Sequence, residues 1–299
     1  MYEKLLIPLD GSRAAESVLS FVDVLQSGVH VPMELVSAVD VSVLTTQRLD
    51  EARYLDQLIA EAERGFTEYL RAIATKFKNF QVTYAVERGK PAEIIIRRAA
   101  AAASTLILMA THGRSGLSRW LLGSVAEKVL RATSNPLFLG RSAEQNSGDD
   151  RVPVRSIIVP LDGSPLAESV LNPAMEMAQR FQAEIVLLQA YELPAAAYYG
   201  RENYLPNYDE LKTQGRSNVQ GYLDEKAGFV RAEGVRNVRT IVADGLAADQ
   251  IVQCAERIPH SLLAMCTHGR TGLQRWTVGS VTEKVVRHSR RPVLVVRAH

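Results

Sequence analysis

Leu6-Ile7-Pro8-Leu9-Asp10-Gly11-Ser12 returns later in the chain as Ile158-Val159-Pro160-Leu161-Asp162-Gly163-Ser164, an offset of 152. Each copy runs on into Ala-Glu-Ser-Val-Leu, at 15–19 and again at 167–171. A longer likeness follows: Thr111-His112-Gly113-Arg114-Ser115-Gly116-Leu117 matches Thr267-His268-Gly269-Arg270-Thr271-Gly272-Leu273, now offset by 156. It continues through Arg119-Trp120 with Arg275-Trp276, and through Gly123-Ser124-Val125 with Gly279-Ser280-Val281. A repeat on this scale decides the architecture. The chain is one domain written twice, and the growing offset places a small insertion within the second copy. We divide it into a first domain at 1–141, a linker at 142–153 and a second domain at 154–299. From Arg141 to Arg151 there is no aliphatic residue larger than alanine, and Ser, Asn, Gly and Asp abound. That is linker composition.

Within each copy, short apolar runs alternate with helical patterns, as parallel strands joined by helices do. In the first copy the strands are expected at Lys4–Leu9, Met33–Val39, Gln81–Val86, Thr105–Ala110 and Pro136–Leu139. The helices between them are expected at Ala14–Gln26, Leu49–Lys78, Pro91–Ala103 and Ser124–Ala132. Pro91 suits a first helical turn. The second copy repeats the order, with strands at Ser156–Pro160, Glu184–Tyr191, Val238–Ala243, Leu262–Cys266 and Val293–Val296. The expected fold class is α/β: two similar doubly wound domains, each a five-stranded parallel sheet flanked by helices.

The 299 residues are 46% hydrophobic and 23% charged, and 35 Lys and Arg against 33 Asp and Glu leave a net charge of +2. So even a balance offers no broad footprint for nucleic acid or for an anionic membrane. Cys254 and Cys266 are the two cysteines. They exclude a disulfide scaffold and a four-thiolate zinc site, and they fit a reducing cytoplasm. The longest apolar run, Ala99 to Ala110, contains Ser104 and Thr105 and falls short of the ~18–20 residues a membrane helix needs. The first apolar stretch reaches Asp10 without a signal-peptide pattern. A soluble, cytoplasmic protein is expected.

Open parallel sheets bind ligands beyond the carboxyl ends of their strands. The first strand ends in Pro8-Leu9-Asp10, which sets a carboxylate just before a helix. The fourth ends in Met109-Ala110-Thr111-His112-Gly113, followed by Gly116 and by Gly123-Ser124 at the opening of the last helix. Glycines let backbone N–H groups approach an anion, and a helix start adds partial positive charge. Such a loop suits phosphates, while the carboxylate suits a ribose or a base. No G-x-G-x-x-G follows the first strand and no G-x-x-x-x-G-K-[ST] occurs, so neither a dehydrogenase fingerprint nor a P-loop is present.

An aspartate ending strand one, with x2-G-x9-G-S after Ala110 and again after Cys266 where the pattern reads G-x2-G-x9-G-[ST], resembles the universal stress protein family in its tandem two-domain form. The likeness covers nearly the whole chain outside the linker and the long second helices. It implies an ATP-binding α/β fold, with Mg²⁺ accompanying the nucleotide, and a role in stress response or dormancy signalling. It marks Asp10 and Asp162 as adenosine contacts. It marks Gly113, Gly123 and Ser124, and then Gly269, Gly279 and Ser280, as phosphate loops. Val125 and Val281 offer further N–H groups, and the backbones of Val39 and Tyr191 border the adenine. Pro8, Pro160, Arg114, Arg270, Gly116 and Gly272 complete the implied set. The pattern's first glycine is Ala110 in one copy and Cys266 in the other. The resemblance also implies that the last strands pair antiparallel and join the two halves, with a homodimer as a further step and an unnamed signalling protein as partner.

Ordinary structural roles compete for several of these residues. Ser124 to Glu127 and Ser280 to Glu283 have capping-box spacing, which alone accounts for both serines. Gly11 and Gly163 suit a tight strand-to-helix turn, and Asp10 suits a helix cap. His112 and His268 suit loop-orienting hydrogen bonds. Arg114, Arg119, Arg270 and Arg275 suit a solvated face, and Trp120 and Trp276 suit packing or an interface. Cys266 suits a small apolar strand end rather than a redox switch.

No residue set demands catalysis, since phosphoryl transfer needs a base or metal carboxylates near the phosphates. The expected function is an ATP-binding stress-response module, with a nucleotide-free interaction scaffold or a slow ATPase as alternatives. The two sites are expected to be unequal. Cysteine at 266 adds more bulk than alanine at 110, so the first half is expected to bind more tightly.

Overall fold

The computed structural model describes residues 2–26, 31–41, 52–102, 104–111, 122–140, 154–192, 208–267 and 278–297, with residues 52–54 and 208–209 described by their backbone alone. Two compact units emerge, Met1–Val152 and Pro153–His299. In the first, β1 (Lys4–Pro8) carries Leu5, Leu6 and Ile7 in succession, all fully buried. A continuous apolar run of this kind fits a strand covered on both faces. It pairs in parallel with β2 (Met33–Val39), which pairs in turn with β3 (Val82–Arg88). On its other side β1 pairs in parallel with β4 (Thr105–Ala110), which pairs with β5 (Leu137–Gly140). The order β3-β2-β1-β4-β5 makes the β1/β4 junction the place where the chain changes direction across the sheet.

The second unit repeats this order. Here β6 (Ser156–Pro160) lies between β7 (Glu184–Tyr191) and β9 (Ser261–Cys266). Outside them lie β8 (Val238–Asp244) and β10 (Val293–Val296). All these pairings are parallel, and helices flank each sheet. The expected α/β class and the expected strands hold, with ends moved by one or two residues.

The first helix departs from expectation. A single helix over 14–26 is replaced by α1 (Arg13–Glu16), a 3₁₀ segment at Ser17–Phe21, and α2 (Val22–Leu25). Ser17 Oγ donates to the Ala14 carbonyl at 2.7 Å, and Ser20 Oγ to that of Ser17 at 2.8 Å. Serine hydroxyls that bond back to the preceding turn compete with the helical ladder and tighten it. The second unit does the same. Between α6 (Pro165–Glu168) and α7 (Leu171–Phe181), Ser169 Oγ donates to the Leu166 carbonyl at 2.7 Å. The remaining helices are α3 (Ala52–Ala74), α4 (Pro91–Ala100), α5 (Ser124–Ala132), α8 (Tyr208–Ala232), α9 (Ala247–Arg257) and α10 (Ser280–His288). Pro91 opens α4 as expected.

Two contacts place these helices on their sheets. Buried Glu34 on β2 pairs with Lys4 of β1 and Arg98 of α4, and Arg98 also reaches Glu87 of β3. That network ties α4 to three strands. The long helices are tied by a repeated pair: Tyr69 Oη of α3 donates to Glu16 at 3.1 Å, and Tyr222 Oη of α8 donates to Glu168 at 2.8 Å. Both glutamates belong to the Ala-Glu-Ser-Val-Leu repeat. Beside each tyrosine a fully buried leucine, Leu70 or Leu223, anchors the helix. Lys226 adds a 3.0 Å ion pair to Glu168 and lies 5.5 Å from the centre of the Tyr222 ring. Under β5, Phe138 meets Phe21 with ring centroids 5.1 Å apart.

Two stability outcomes follow from this packing. Phe138→Ala removes a fully buried ring and should destabilise the first unit by about 3–5 kcal/mol in urea titration. Burial, followed by the neighbouring Glu16 charge, pushes the Tyr69 phenol up; burial and the hydrogen bond to Glu168 do the same for Tyr222. A folded pKa above the unfolded value keeps this stabilisation intact below about pH 10 and loses it as pH rises towards the folded value. Replacing both tyrosines by phenylalanine should therefore flatten the fall in stability above about pH 10, measured by urea titration across that range. An unchanged slope would show that the phenols do not carry it.

Candidate nucleotide site at the strand ends

The turn after β1 is built from three consecutive residues. Asp10 Oδ1 accepts from the Ser12 amide at 2.9 Å, Gly11 takes φ +81°, and Ser12 Oγ accepts from the Ala15 amide at 3.1 Å. Positive φ makes glycine the natural residue at that step. Ser12 is the helix cap, and Asp10 anchors the turn rather than the helix. The second unit reproduces the arrangement: Asp162 accepts from the Ser164 amide at 2.9 Å, Gly163 has φ +81°, and Ser164 Oγ accepts from Ala167 N–H at 3.2 Å. There Ser164 Oγ also donates to Asp162 at 2.6 Å.

At the end of β4, Thr111 N–H donates to the Gly140 carbonyl at 3.0 Å, and the Thr111 carbonyl accepts from Gly123 N–H at 2.7 Å. Thr267 and Gly279 form the same 2.7 Å bond in the second unit. Gly123 is the cap residue of α5, with φ −62° and ψ 146°, and Ser124 is the first helical residue. Gly279 and Ser280 stand likewise in α10. The expected capping boxes are therefore corrected. Each serine sits one residue too far along to cap, and the cap residue of each helix is a glycine with no side chain to offer. Glu127 and Glu283 turn instead to Arg131 and Arg287, at 3.2 and 2.9 Å.

A cavity of about 590 Å³ opens in the first unit between these features. Its base is the strand ends: Pro8 to Asp10, Val36 to Asp40, and Met109 to Thr111. Ala62 and Phe66 of α3 form part of its wall, and Pro91, Ile94 and Ile95 of α4 another part. Gly123 to Ala126, the start of α5, lines it as well. The volume is that of a small-molecule site. The aliphatic and aromatic walls suit a flat apolar group, the Asp10 carboxylate suits hydroxyl or amino donors, and the first N–H groups of α5 suit an anion. Ser37 Oγ, held at 2.6 Å by the Leu9 carbonyl, fixes β2 against the end of β1.

Seven expected site residues meet around this one cavity: Pro8, Asp10, Val39, Ala110, Gly123, Ser124 and Val125. Pro160, Asp162, Tyr191, Cys266, Gly279, Ser280 and Val281 hold the corresponding places in the second unit. Cys266 Sγ accepts from Ser169 Oγ at 3.5 Å, so its thiol is directed to the α6–α7 junction. Gly113, Arg114, Gly116, Gly269, Arg270 and Gly272 lie outside the described residues, as do His112, Arg119, Trp120, His268, Arg275, Trp276 and the linker up to Pro153. Asp40, Ala62, Phe66, Ile94 and Ile95 also line the cavity and were not anticipated. Asp40 follows directly on the β2 run, and Ile94-Ile95 follow Pro91 at helical spacing; those signals were present. Among the described residues no cluster of three or more His, Cys, Asp or Glu could hold a metal ion. Among them also, no helix is long and apolar enough to cross a membrane.

Comparison with known proteins agrees with this geometry. The family model described as "Universal stress protein family" matches residues 1–140 and again 153–297. A universal stress protein of Methanocaldococcus jannaschii is 31% identical over 48% of this chain and 82% of its own length. One from Mycolicibacterium smegmatis is 26% identical over 66% of this chain and 63% of its own. The crystal structure of a universal stress protein from Archaeoglobus fulgidus aligns with 99% of both chains at a TM-score of 0.73 and 21% identity, a likeness of fold. Some members of the family bind nucleotides: one was solved in complex with cAMP, though its TM-score of 0.38 over 48% of this chain says nothing about the ligand here. With family domains matched over both halves, the chain belongs to the universal stress protein family in tandem form.

Proposed function

We propose that the first unit binds ATP in the cavity at the ends of β1, β2 and β4, with Mg²⁺ carried on the phosphates. One observation carries this proposal: a single cavity joins an apolar base-sized recess, the Asp10 carboxylate and the amide start of α5. The adenine lies among Val36, Val39, Phe66 and Ile94, and Asp10 accepts from the ribose hydroxyls. The phosphates meet the first N–H groups of α5, where the helix start favours negative charge. Gly123 caps α5 without a side chain, so the cap residue itself does not compete with an anion for the first N–H groups.

The protein then acts as a nucleotide-dependent stress-response module that signals through its bound state to a partner protein. Asp10 and Asp40 stand at the ends of β1 and β2, whereas hydrolysis calls for a base or metal carboxylates beside the phosphates. Binding rather than turnover is the activity proposed. Cys254 and Cys266 are both buried free thiols, which suits a reducing compartment such as the cytoplasm.

Calorimetric titration of the full chain with ATP and Mg²⁺ tests the proposal. Wild type should bind, and ATP should raise its melting temperature. Asp10→Ala should weaken binding by about tenfold or more, the worth of a charge-assisted hydrogen bond. Asp10→Asn keeps an oxygen for the Ser12 amide but loses the charge, and should weaken binding with the turn intact. No heat of binding and no thermal shift in wild type would overturn the assignment.

A further inference from the structure

The two units share the Asp turn and the Gly-capped helix start, but they differ where a nucleobase would lie. Val39 stands three residues beyond Val36, the β2 partner of Pro8; Tyr191 stands three beyond Leu188, the β7 partner of Pro160. The carbonyls of both accept from a glycine amide, Gly89 at 2.9 Å and Gly245 at 3.0 Å. The two positions correspond. On the long helices, Ala62 lies seven residues before Tyr69, and Gly215 seven before Tyr222. Since these tyrosines make the same bond to equivalent glutamates, Ala62 and Gly215 correspond as well.

In the first unit Val39 and Ala62 both line the cavity. In the second their counterparts face each other closely. Cδ2 and Cε2 of the Tyr191 ring lie 3.7 and 3.9 Å from where a Cβ on Gly215 would stand, so the ring lies over the position that a side chain at 215 would fill. The ring spans from the end of β7 to α8. A reciprocal change accompanies it: Phe66, which lines the first cavity from α3, corresponds to Val219. The aromatic ring has moved from the helix to the strand end. Tyr191 Oη is buried without a hydrogen-bond partner among the described residues.

We infer that Tyr191 occupies the nucleobase position of the second unit, so that the chain binds one nucleotide, in its first unit. This rests on the nucleotide reading of the first cavity. Cys266 is not the obstacle, because its thiol turns to Ser169. Asp162 and the start of α10 hold the same places as their counterparts in the first unit. Removing the ring alone should therefore restore a site.

The test is the stoichiometry of MgATP binding to the full chain. Wild type should take up one equivalent. Tyr191→Val, which copies the first unit and puts a β-branched residue suited to a strand in its place, should take up two. Tyr191→Ala serves as a second opening variant should the valine disturb packing. Tyr191→Phe keeps the ring and should stay at one. Asp10→Ala combined with Tyr191→Val should weaken one of the two equivalents by about tenfold or more and leave the other unchanged. Two equivalents in wild type, or one in both opening variants with unchanged circular dichroism, would overturn the inference and leave the first-unit site standing. No binding in wild type but one equivalent in Tyr191→Val would instead overturn the first-unit site and uphold the role of Tyr191. No binding in any form would reject both.

Discussion

Everything at the candidate site depends on β1 being paired in parallel on both sides, with β2 on one flank and β4 on the other. A strand in that position must send the chain outward in one direction and receive it back from the other. The connections therefore separate at its carboxyl end and leave a crevice there. Asp10 reaches that crevice because it follows β1 directly; Gly123 reaches it because Thr111, at the end of β4, holds it by a backbone bond. The residues 10 and 123 become neighbours of one space through two short pieces of backbone rather than through direct contact. The fully buried run Leu5-Leu6-Ile7 is what allows β1 this central place.

Much of this could be read from the chain because backbone geometry leaves marks in sequence. The turn needs φ +81° after Asp10 and after Asp162, and glycine stands at both places. A parallel strand covered on both faces reads as an unbroken apolar run, and the strands were found on that basis. Helix starts were harder to read. Ser-x-x-Glu spacing fits a capping box, but at Ser124 a glycine already occupies the cap and the frame moves by one residue. Ser17 and Ser20 looked compatible with one continuous helix, yet their hydroxyls bond backwards and tighten the turn. Such competition is decided by local hydrogen bonds that a periodicity cannot weigh.

The cavity walls were the least legible part. Phe66 and Ala62 lie on a long helix whose phase against the sheet is set by Tyr69 meeting Glu16. A reader could have found that pair, since Tyr-Leu recurs at 69–70 and 222–223 and the glutamate recurs within its own repeat. What no repeat announces is a place where the halves differ. Val39 and Tyr191 sit at equivalent ends of equivalent strands, and only the packing of the second against Gly215 shows what the exchange does. Duplication has kept the turn and the helix start in both copies, while the wall between strand and long helix has drifted.

The bond between the Thr111 carbonyl and Gly123 N–H has a bearing on how this fold tolerates change. It holds residues 111 and 123 together, so the frame sets the separation of the two ends that the intervening residues must join. Closing a longer excursion adds only about 0.6 kcal/mol for each doubling of length. A change in the length of the connection between Thr111 and Leu122 should therefore put little strain on the sheet, and the start of α5 should keep its aim. The same clasp between Thr267 and Gly279 offers a second, independent insertion point on one chain.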